Sequence, residues 1–423
     1  MKMNALLDVD LVAHEAADEV AILLDLQAPA APTTKRAPAA LEVVLDRSGS
    51  MGGPPLEGAK EALVALVRRL DPTDHFGLVT FDDTAQVVVP AGPLADKESV
   101  IAQIRAVRAG GSTDLSAGYL RGLRELRRAG ARSGTVLVVS DGHVNAGIAD
   151  PQQLAGVATK AYGEGVVTST LGYGQGYDET LLAALARSGS GNHVFAADPD
   201  AAGAAIAGEV DGLLDKVVQG LALTVRFERA ARFLRLFNDL PAQHLGDGTV
   251  MIELGDLFAE EHRKVLLKLE VPAMAQLGLT RIATLELAYV ELPGLVEHVA
   301  TLPVAVNVVP GDEAAGRVPE PTVTSEVLFQ EAQDAKRQAS EAYERGDIDT
   351  GGRFLDETSA RLARALAVAP EAGRAEISEE LADVERTKRR TERMGATYAS
   401  KVTRDSYHRM NRKRGRTPRP DGD

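Results

Sequence analysis

Between residues 41 and 51 the sequence LEVVLDRSGSM sets a carboxylate and two hydroxyls, Asp46, Ser48 and Ser50, at alternate positions directly after an apolar run. Oxygen donors without nitrogen or sulfur suit a hard divalent cation, and Mg2+ in particular takes oxygens at about 2.0–2.1 Å in near-octahedral geometry while keeping several waters. On an extended loop, positions i, i+2 and i+4 project to one side, and Gly49 would let the backbone curl around the point where the three side chains converge. The same residues also serve ordinary turns and helix caps, so the loop alone leaves both uses open.

Two later loops could complete an oxygen cage. The segment AGGSTDLSAG, 109–118, puts Thr113 between a glycine pair and a helix, and TVLVVSDGHVNAG, 135–147, drives an apolar strand straight into Asp141. Each also has a plain structural use: Ser112 or Thr113 can cap a helix starting at Leu115, and Asp141-Gly142 can form a turn.

Those three loops need a scaffold that brings strand ends together. Strand-like runs fall at 41–45, 77–81, 86–89, 135–140, 166–171 and 193–196, and apolar residues recur at helical spacing between them, as in Leu56, Ala59, Leu63, Leu66, Val67 and Leu70. Strand-helix alternation over roughly 40–215 predicts a mostly parallel sheet with helices on both faces, where ligands gather at the carboxyl ends of strands near the switch point. The pair of strands joined by DDT at 82–84 predicts a hairpin and one antiparallel edge.

Beyond 215 the rhythm changes. Runs at 221–227, 233–237, 250–254, 265–271, 282–289 and 299–308 follow one another across polar turns without helices, which predicts an antiparallel sandwich. The early run 20–26 has the same character and is separated from the α/β region by the Pro- and Ala-rich QAPAAPTTKRAPAA, so the α/β domain is expected to interrupt the sandwich. The expected organisation is first sandwich strands in 1–33, the α/β domain in 40–217, the rest of the sandwich in 218–312, a helical segment in 324–400 and a basic, disordered tail in 401–423. The helical segment reads as a hairpin about Gly346 followed by a third helix from Arg374 to about Thr397, and is expected to cap the sandwich.

Charge is divided unevenly. The net charge is −14, yet residues 386–419 hold 13 Lys or Arg against two acids, leaving −25 on the remainder. Such a tail suits an anionic partner or the acidic body of the protein itself; without aromatic stacking platforms or a recognition motif, nucleic acid is not the expected partner. There is no cysteine in 423 residues, which excludes disulfides, thiolate zinc sites and a cysteine nucleophile. No stretch has the length of a membrane span and the start lacks a signal-peptide pattern, so a cytoplasmic setting is expected.

DRSGSM at 46–51, Thr113 in GGSTDL and Asp141 in VVSDGHVNAG resemble, in order and spacing, the metal-ion-dependent adhesion site of von Willebrand factor type A domains. The resemblance covers about 40–217, including FGLVTFDDTAQVVVP and a closing strand-helix region like that of bacterial members. More loosely, the flanking strands are similar to the sandwich of proteins like inter-alpha-trypsin inhibitor heavy chains. It implies an α/β doubly wound (Rossmann-like) domain inserted into an antiparallel β-sandwich, with a C-terminal α-helical segment. It also implies Mg2+, with Mn2+ or Ca2+ as alternatives, approached directly by Ser48, Ser50 and Thr113 and held directly or through water by Asp46 and Asp141. Arg47 occupies the motif's variable position. In the family a partner protein's carboxylate fills the open coordination position, and relatives often work beside AAA-type ATPases or in multiprotein complexes. A last helix at 198–218 couples to the metal in some relatives.

Two other classes compete. A Mg2+-dependent hydrolase or phosphatase could use Asp46 as nucleophile, but the second aspartate expected two residues on is Ser48, and neither a Gly-x-Ser-x-Gly elbow nor a Gly-x-x-x-x-Gly-Lys loop is present. His75, His143 and His193 are isolated in sequence. A structural scaffold without functional metal is the third class.

Overall fold

The computed structural model describes residues 1–410 apart from 32–35, 37, 131, 132, 142, 143, 175, 176, 197, 198, 229, 230 and 247. Three strands come first, β1 (Lys2–Leu7), β2 (Leu11–Ala13) and β3 (Asp18–Gln27). There follow β4 (Ala40–Asp46), α1 (Pro54–Arg69), β5 (His75–Phe81), β6 (Ala85–Pro93), α2 (Lys97–Ala106), α3 (Leu115–Arg128), β7 (Gly134–Ser140), α4 (Pro151–Gly163), β8 (Val166–Tyr173), α5 (Glu179–Ser188), β9 (Ser190–Ala196) and α6 (Pro199–Leu214). A second run of strands is β10 (Lys216–Phe227), β11 (Arg232–Leu236), β12 (Ala242–His244), β13 (Val250–Phe258), β14 (His262–Val271), β15 (Gly278–Glu291) and β16 (Val296–Val309). Helices α7 (Gly311–Ala315), α8 (Pro321–Glu344), α9 (Ile348–Val368), α10 (Glu371–Met394) and α11 (Ala396–Met410) close the described chain.

The chain divides into two compact units, Pro32–Lys216 and the remainder, Met1–Ala31 with Val217–Asp423. In the first, six strands lie in the order β6-β5-β4-β7-β8-β9, with β6 antiparallel to β5 and the other neighbours parallel. Central strand β4 is buried along its whole length, as a parallel strand covered on both faces must be. Alternation sends Leu41, Val43 and Leu45 into one core with α1, α2 and α6, and Ala40 and Val44 into the other with α3, α4 and α5. From β4 the chain crosses to β5 on one side and later to β7 on the other, so the switch point lies between β4 and β7. Near the start of this unit Arg36 clasps buried Asp74 with two bonds of 2.6 Å. The middle of the Pro- and Ala-rich connector lies outside the described residues.

In the other unit, β1-β3-β14-β11 form one sheet and β12-β13-β10-β15-β16-β2 another. One apolar core joins them: Ile22, Leu24, Val265 and Leu267 from the first meet Leu223, Val225, Ile252, Leu285 and Val306 from the second. The opposite face of the first sheet, through Ala21, Leu23 and Leu266, packs with Phe237 and with Val323 of α8. Phe329, Tyr343, Leu355, Leu362, Ile377, Val384 and Ala399 unite α8–α11 around a further core.

Two sequence expectations are corrected here. The last helix of the α/β unit was expected to reach residue 218; it ends at Leu214, and β10 takes over because Val217 and Val218 are drawn into the sandwich core. Residues 401–410, expected in a disordered tail, continue α11, with Val402 and Tyr407 buried. Their basic charge misleads because part of it is turned inward: Arg409 donates to buried Asp383 at 2.5 Å, and Ser406 Oγ donates to the same carboxylate at 2.9 Å. Residues 411–423, which carry the rest of the basic run, lie outside the described residues. Among the described residues no helix is long and apolar enough to cross a membrane.

Candidate metal centre

Asp46 ends β4 and is wholly buried. Its Oδ1 accepts the Ser48 N–H at 2.8 Å and its Oδ2 accepts the hydroxyl of Ser140, the last residue of β7, at 2.5 Å. The loop after Asp46 is not extended. Residues Gly49–Met51 form a single 3-10 turn, yet Ser48 Oγ and Ser50 Oγ still stand 3.1 Å apart, and Ser50 Oγ donates to Asp141 Oδ1 at 2.9 Å. Four of the five residues singled out in the sequence are thus linked by direct contacts between side chains or, for Ser48, a backbone N–H.

Thr113 arrives by a different route. Gly49 N–H donates to Gly111 O at 3.1 Å and Gly110 N–H to Arg47 O at 2.8 Å, stitching the two loops backbone to backbone. Thr113 is buried, and its hydroxyl makes none of the hydrogen bonds that join the other four. Nor does it cap the helix: the cap of α3 is Asp114, which accepts Ala117 N–H at 2.9 Å, leaving the Thr113 hydroxyl without that duty.

The glycine that shapes the site is Gly111, not Gly49. Gly49 has no positive φ, and a Cβ there would meet only Gly111 O at 3.7 Å. Gly111 has φ +74°, and a Cβ would fall 2.1 Å from Asp83 Oδ1 and 2.7 Å from Asp82 Cβ. Asp82 and Asp83 belong to the β5–β6 turn, and Asp83 Oδ1 accepts the Ser112 N–H at 2.8 Å. From the other side Asn145 grips Thr113 twice, its Oδ1 accepting Thr113 N–H at 2.9 Å and its N–H donating to Thr113 O at 3.2 Å. Ser140, Asn145, Asp82 and Asp83 were not singled out in the sequence. Ser140 had one visible mark, being a polar residue at the end of an otherwise apolar strand; the others act through fold-dependent contacts with no local pattern.

The electrostatics favour a cation. Burial pushes the Asp46 carboxyl up from its ordinary range, against the lowering bonds from Ser140 and Ser48, and Asp82 adds repulsion. Burial likewise raises Asp141, with the Ser50 bond opposing and Asp46 adding to the rise. A cation between the two carboxylates would supply the missing counter-charge. The nearby guanidinium of Arg47 does not take that place: it is turned to Asp82 Oδ2 at 2.7 Å. Among the described residues no group of three or more His, Cys, Asp or Glu could hold a metal ion, so any ion here relies on hydroxyls as well as carboxylates, a donor set that fits a hard cation.

Of the histidines singled out in the sequence, His193 is held by partners of its own. His193 is buried, with Nδ1 2.8 Å from Thr170 Oγ1 and Nε2 3.4 Å from the Tyr177 hydroxyl. Since Thr170 Oγ1 donates to Leu182 O at 3.0 Å, the ring carries its proton on Nδ1. His143 and the glycine after Asp141 lie outside the described residues.

Residues 41–205 match the model of the von Willebrand factor type A domain. An uncharacterized Synechocystis protein is 29% identical over 169 residues, 40% of each chain. Human inter-alpha-trypsin inhibitor heavy chain H3 is 26% identical over 235 residues, 52% of this chain and 25% of its own. The chain thus spans less than half the length of these curated relatives. Among solved structures, a von Willebrand factor type A protein from Catenulispora acidiphila superposes with a TM-score of 0.71 at 18% identity, covering 98% of this chain and 97% of that one. Sheet order, the placement of Asp46, Thr113 and Asp141 at strand and helix ends, and the family match converge: this chain carries a von Willebrand factor type A domain at residues 41–205.

Proposed function

We propose that the chain is a non-catalytic binding module that captures an Asp or Glu of a partner protein through a divalent cation, Mg2+ before Mn2+ or Ca2+, held by Asp46, Ser48, Ser50, Thr113 and Asp141. The observation that carries this reading is the contact chain Asp46–Ser48–Ser50–Asp141 at the switch point of the sheet. Two carboxylates and three neutral hydroxyls leave a hard divalent ion room for a further anionic oxygen, and a partner's carboxylate is the protein group suited to it.

The hydrolase alternative is disfavoured by the same geometry. Both oxygens of Asp46 are engaged, by Ser48 N–H and Ser140 Oγ–H, and the carboxyl is wholly buried, a poor arrangement for attack on a substrate. The cysteine-free composition supports a cytoplasmic setting for the module. An AAA-type ATPase or a multiprotein complex remains the partner class suggested by family analogy.

The test is affinity capture from host lysate in Mg2+ and in EDTA, with Asp46→Ala and Thr113→Val beside the wild type and mass spectrometry of retained proteins. A protein retained only by wild type in Mg2+ is the expected result. Identical retention by all three proteins in both buffers would remove the metal site from the function.

A further inference from the structure

The sandwich leaves one long strand edge open. Strand β16 pairs with β15 from Val296↔Glu291 to Val308↔Gly278, but its other side meets β2 only at Asn307–Val309. Among the described residues, positions 296–306 have no strand on that side. Open edges of this kind template pairing with another chain, and proteins usually blunt them with Lys, Pro or bulges. No Lys or Arg occurs between Val296 and Val309. The blunting devices sit at one end only: Pro303, which has no N–H to donate, and an irregularity in β15 between Arg281 and Ala283, opposite Val304 and Ala305. Before them the edge has no Pro, Lys or bulge and one acid, Glu297, and it carries exposed apolar side chains, Val296 and Val299 at 52% and 68%, with Leu295 at 56% just before the strand.

We infer that this edge pairs antiparallel with the same edge of a second copy of the chain, about a two-fold axis at Val299. Pro303 confines pairing to residues 296–302, and Val299 is the middle of that segment. Antiparallel self-pairing then sets Val296 opposite Leu302, Glu297 opposite Thr301, His298 opposite Ala300 and Val299 opposite itself. The only acid, Glu297, faces a threonine and never its own copy; parallel pairing would set the two Glu297 side by side, which is destabilising. Alternation keeps the pattern consistent with the sandwich: Glu297, Val299 and Thr301 are exposed, whereas Leu302 packs against the core. An isologous contact of this sort closes at two copies. A pairing of seven residues covers far less than the ~1,200–2,000 Å2 of a standard stable interface, so the dimer is weak and forms with rising concentration. This inference does not depend on the metal reading, though a dimer would present two such sites and gain by avidity.

The cysteine-free sequence makes a direct test possible. Directly opposed residues in antiparallel strands have Cα atoms about 4.5–5.5 Å apart, within the range a disulfide spans. Val299→Cys in the full chain is therefore expected to give a disulfide-linked dimer under mild oxidation. Ala288→Cys, on β15 opposite Val299 and one strand further from the edge, is the matched control and should stay monomeric on a non-reducing gel. Wild type should gain mass from micromolar to near-millimolar concentration in sedimentation velocity, and Val299→Lys should abolish that gain. Equal cross-linking of the two cysteine variants would overturn the inference, as would a dimer that survives Val299→Lys. A wild type that stays monomeric throughout, with edge amides nevertheless protected from hydrogen exchange, would mean another segment of the same chain covers the edge, and would overturn it too.

Discussion

Strand β4 carries two buried acids on one face, four residues apart, in opposite circumstances. Asp46, at the end of the strand, receives an N–H and a hydroxyl on its two oxygens. Glu42, in the middle, has no hydrogen-bond partner on either oxygen, and burial pushes its carboxyl up to about 9, with Glu125 adding repulsion. The arginines near it, Arg121 and Arg128 of α3, are committed to Glu125 at 3.1 and 2.9 Å. Space for the Glu42 side chain comes from glycine: a Cβ on Gly77 would fall 1.9 Å from Glu42 Oε2, and one on Gly122 of α3 would fall 3.4 Å from Glu42 Cγ. At the rim of the sheet the fold supplies donors to both oxygens of the carboxyl. Inside the sheet it supplies none, and the acid is kept neutral by its proton. Burial alone therefore does not separate the two acids; the donors around them do.

The largest effect should come from Glu42. Its carboxyl titrates near 4.5 when unfolded and near 9 when folded, so between these values the folded state binds the extra proton and stability falls as pH rises. Its contribution is fully present below 4.5 and is lost progressively up to about 9. Glu42→Gln, neutral at every pH, should be more stable than wild type by on the order of 3 kcal/mol at pH 8 and should remove the slope. Urea unfolding at pH 5, 7 and 9 checks this; a wild type equally stable at pH 5 and 9 would break the contrast. Next comes Asp46→Asn, which keeps the shape and removes the charge. Wild type should gain about 2.7 kcal/mol of stability when Mg2+ reaches a hundred times its Kd, and the variant should gain nothing in the same thermal scans. The smallest effect belongs to Ser140→Ala, which removes one of the two donors to Asp46. Mg2+ affinity should fall about tenfold by calorimetric titration, the usual scale for a group that orients a ligand. An unchanged affinity would mean that the Ser140 bond serves packing alone.

The architecture was legible where periodicity speaks. A short unbroken apolar run such as 136–139 reads as a strand buried on both faces, and the change at 215 from alternating helices and strands to consecutive strands marks the return to the sandwich. Periodicity does not separate the two buried acids of β4: the serines that follow marked Asp46, but that Glu42 is buried without a donor depends on what α3 and β5 bring to it. The same limit explains Gly49 and Gly111. Both read as loop glycines, and only the approach of the β5–β6 turn shows which of them tolerates no side chain. Residues 401–410 failed for a related reason. Composition reported their charge, whereas Asp383, far away in sequence, decides that Arg409 can be buried.

The pairing of β3 with β14 has a consequence for synthesis. Gln27 lies beside His262, so the sheet closes across about 235 intervening positions. At roughly 5–20 residues per second a ribosome needs on the order of 10 to 50 s to make that stretch. During this interval β3, whose Val20, Ile22, Leu24 and Leu26 are destined for the core, has only β1 to pair with, while the whole α/β unit emerges and folds behind it. The N-terminal hairpin thus waits as an unfinished, adhesive sheet until the far side of the chain arrives. The longer that interval lasts, the longer the apolar face of β3 stays uncovered and open to aggregation.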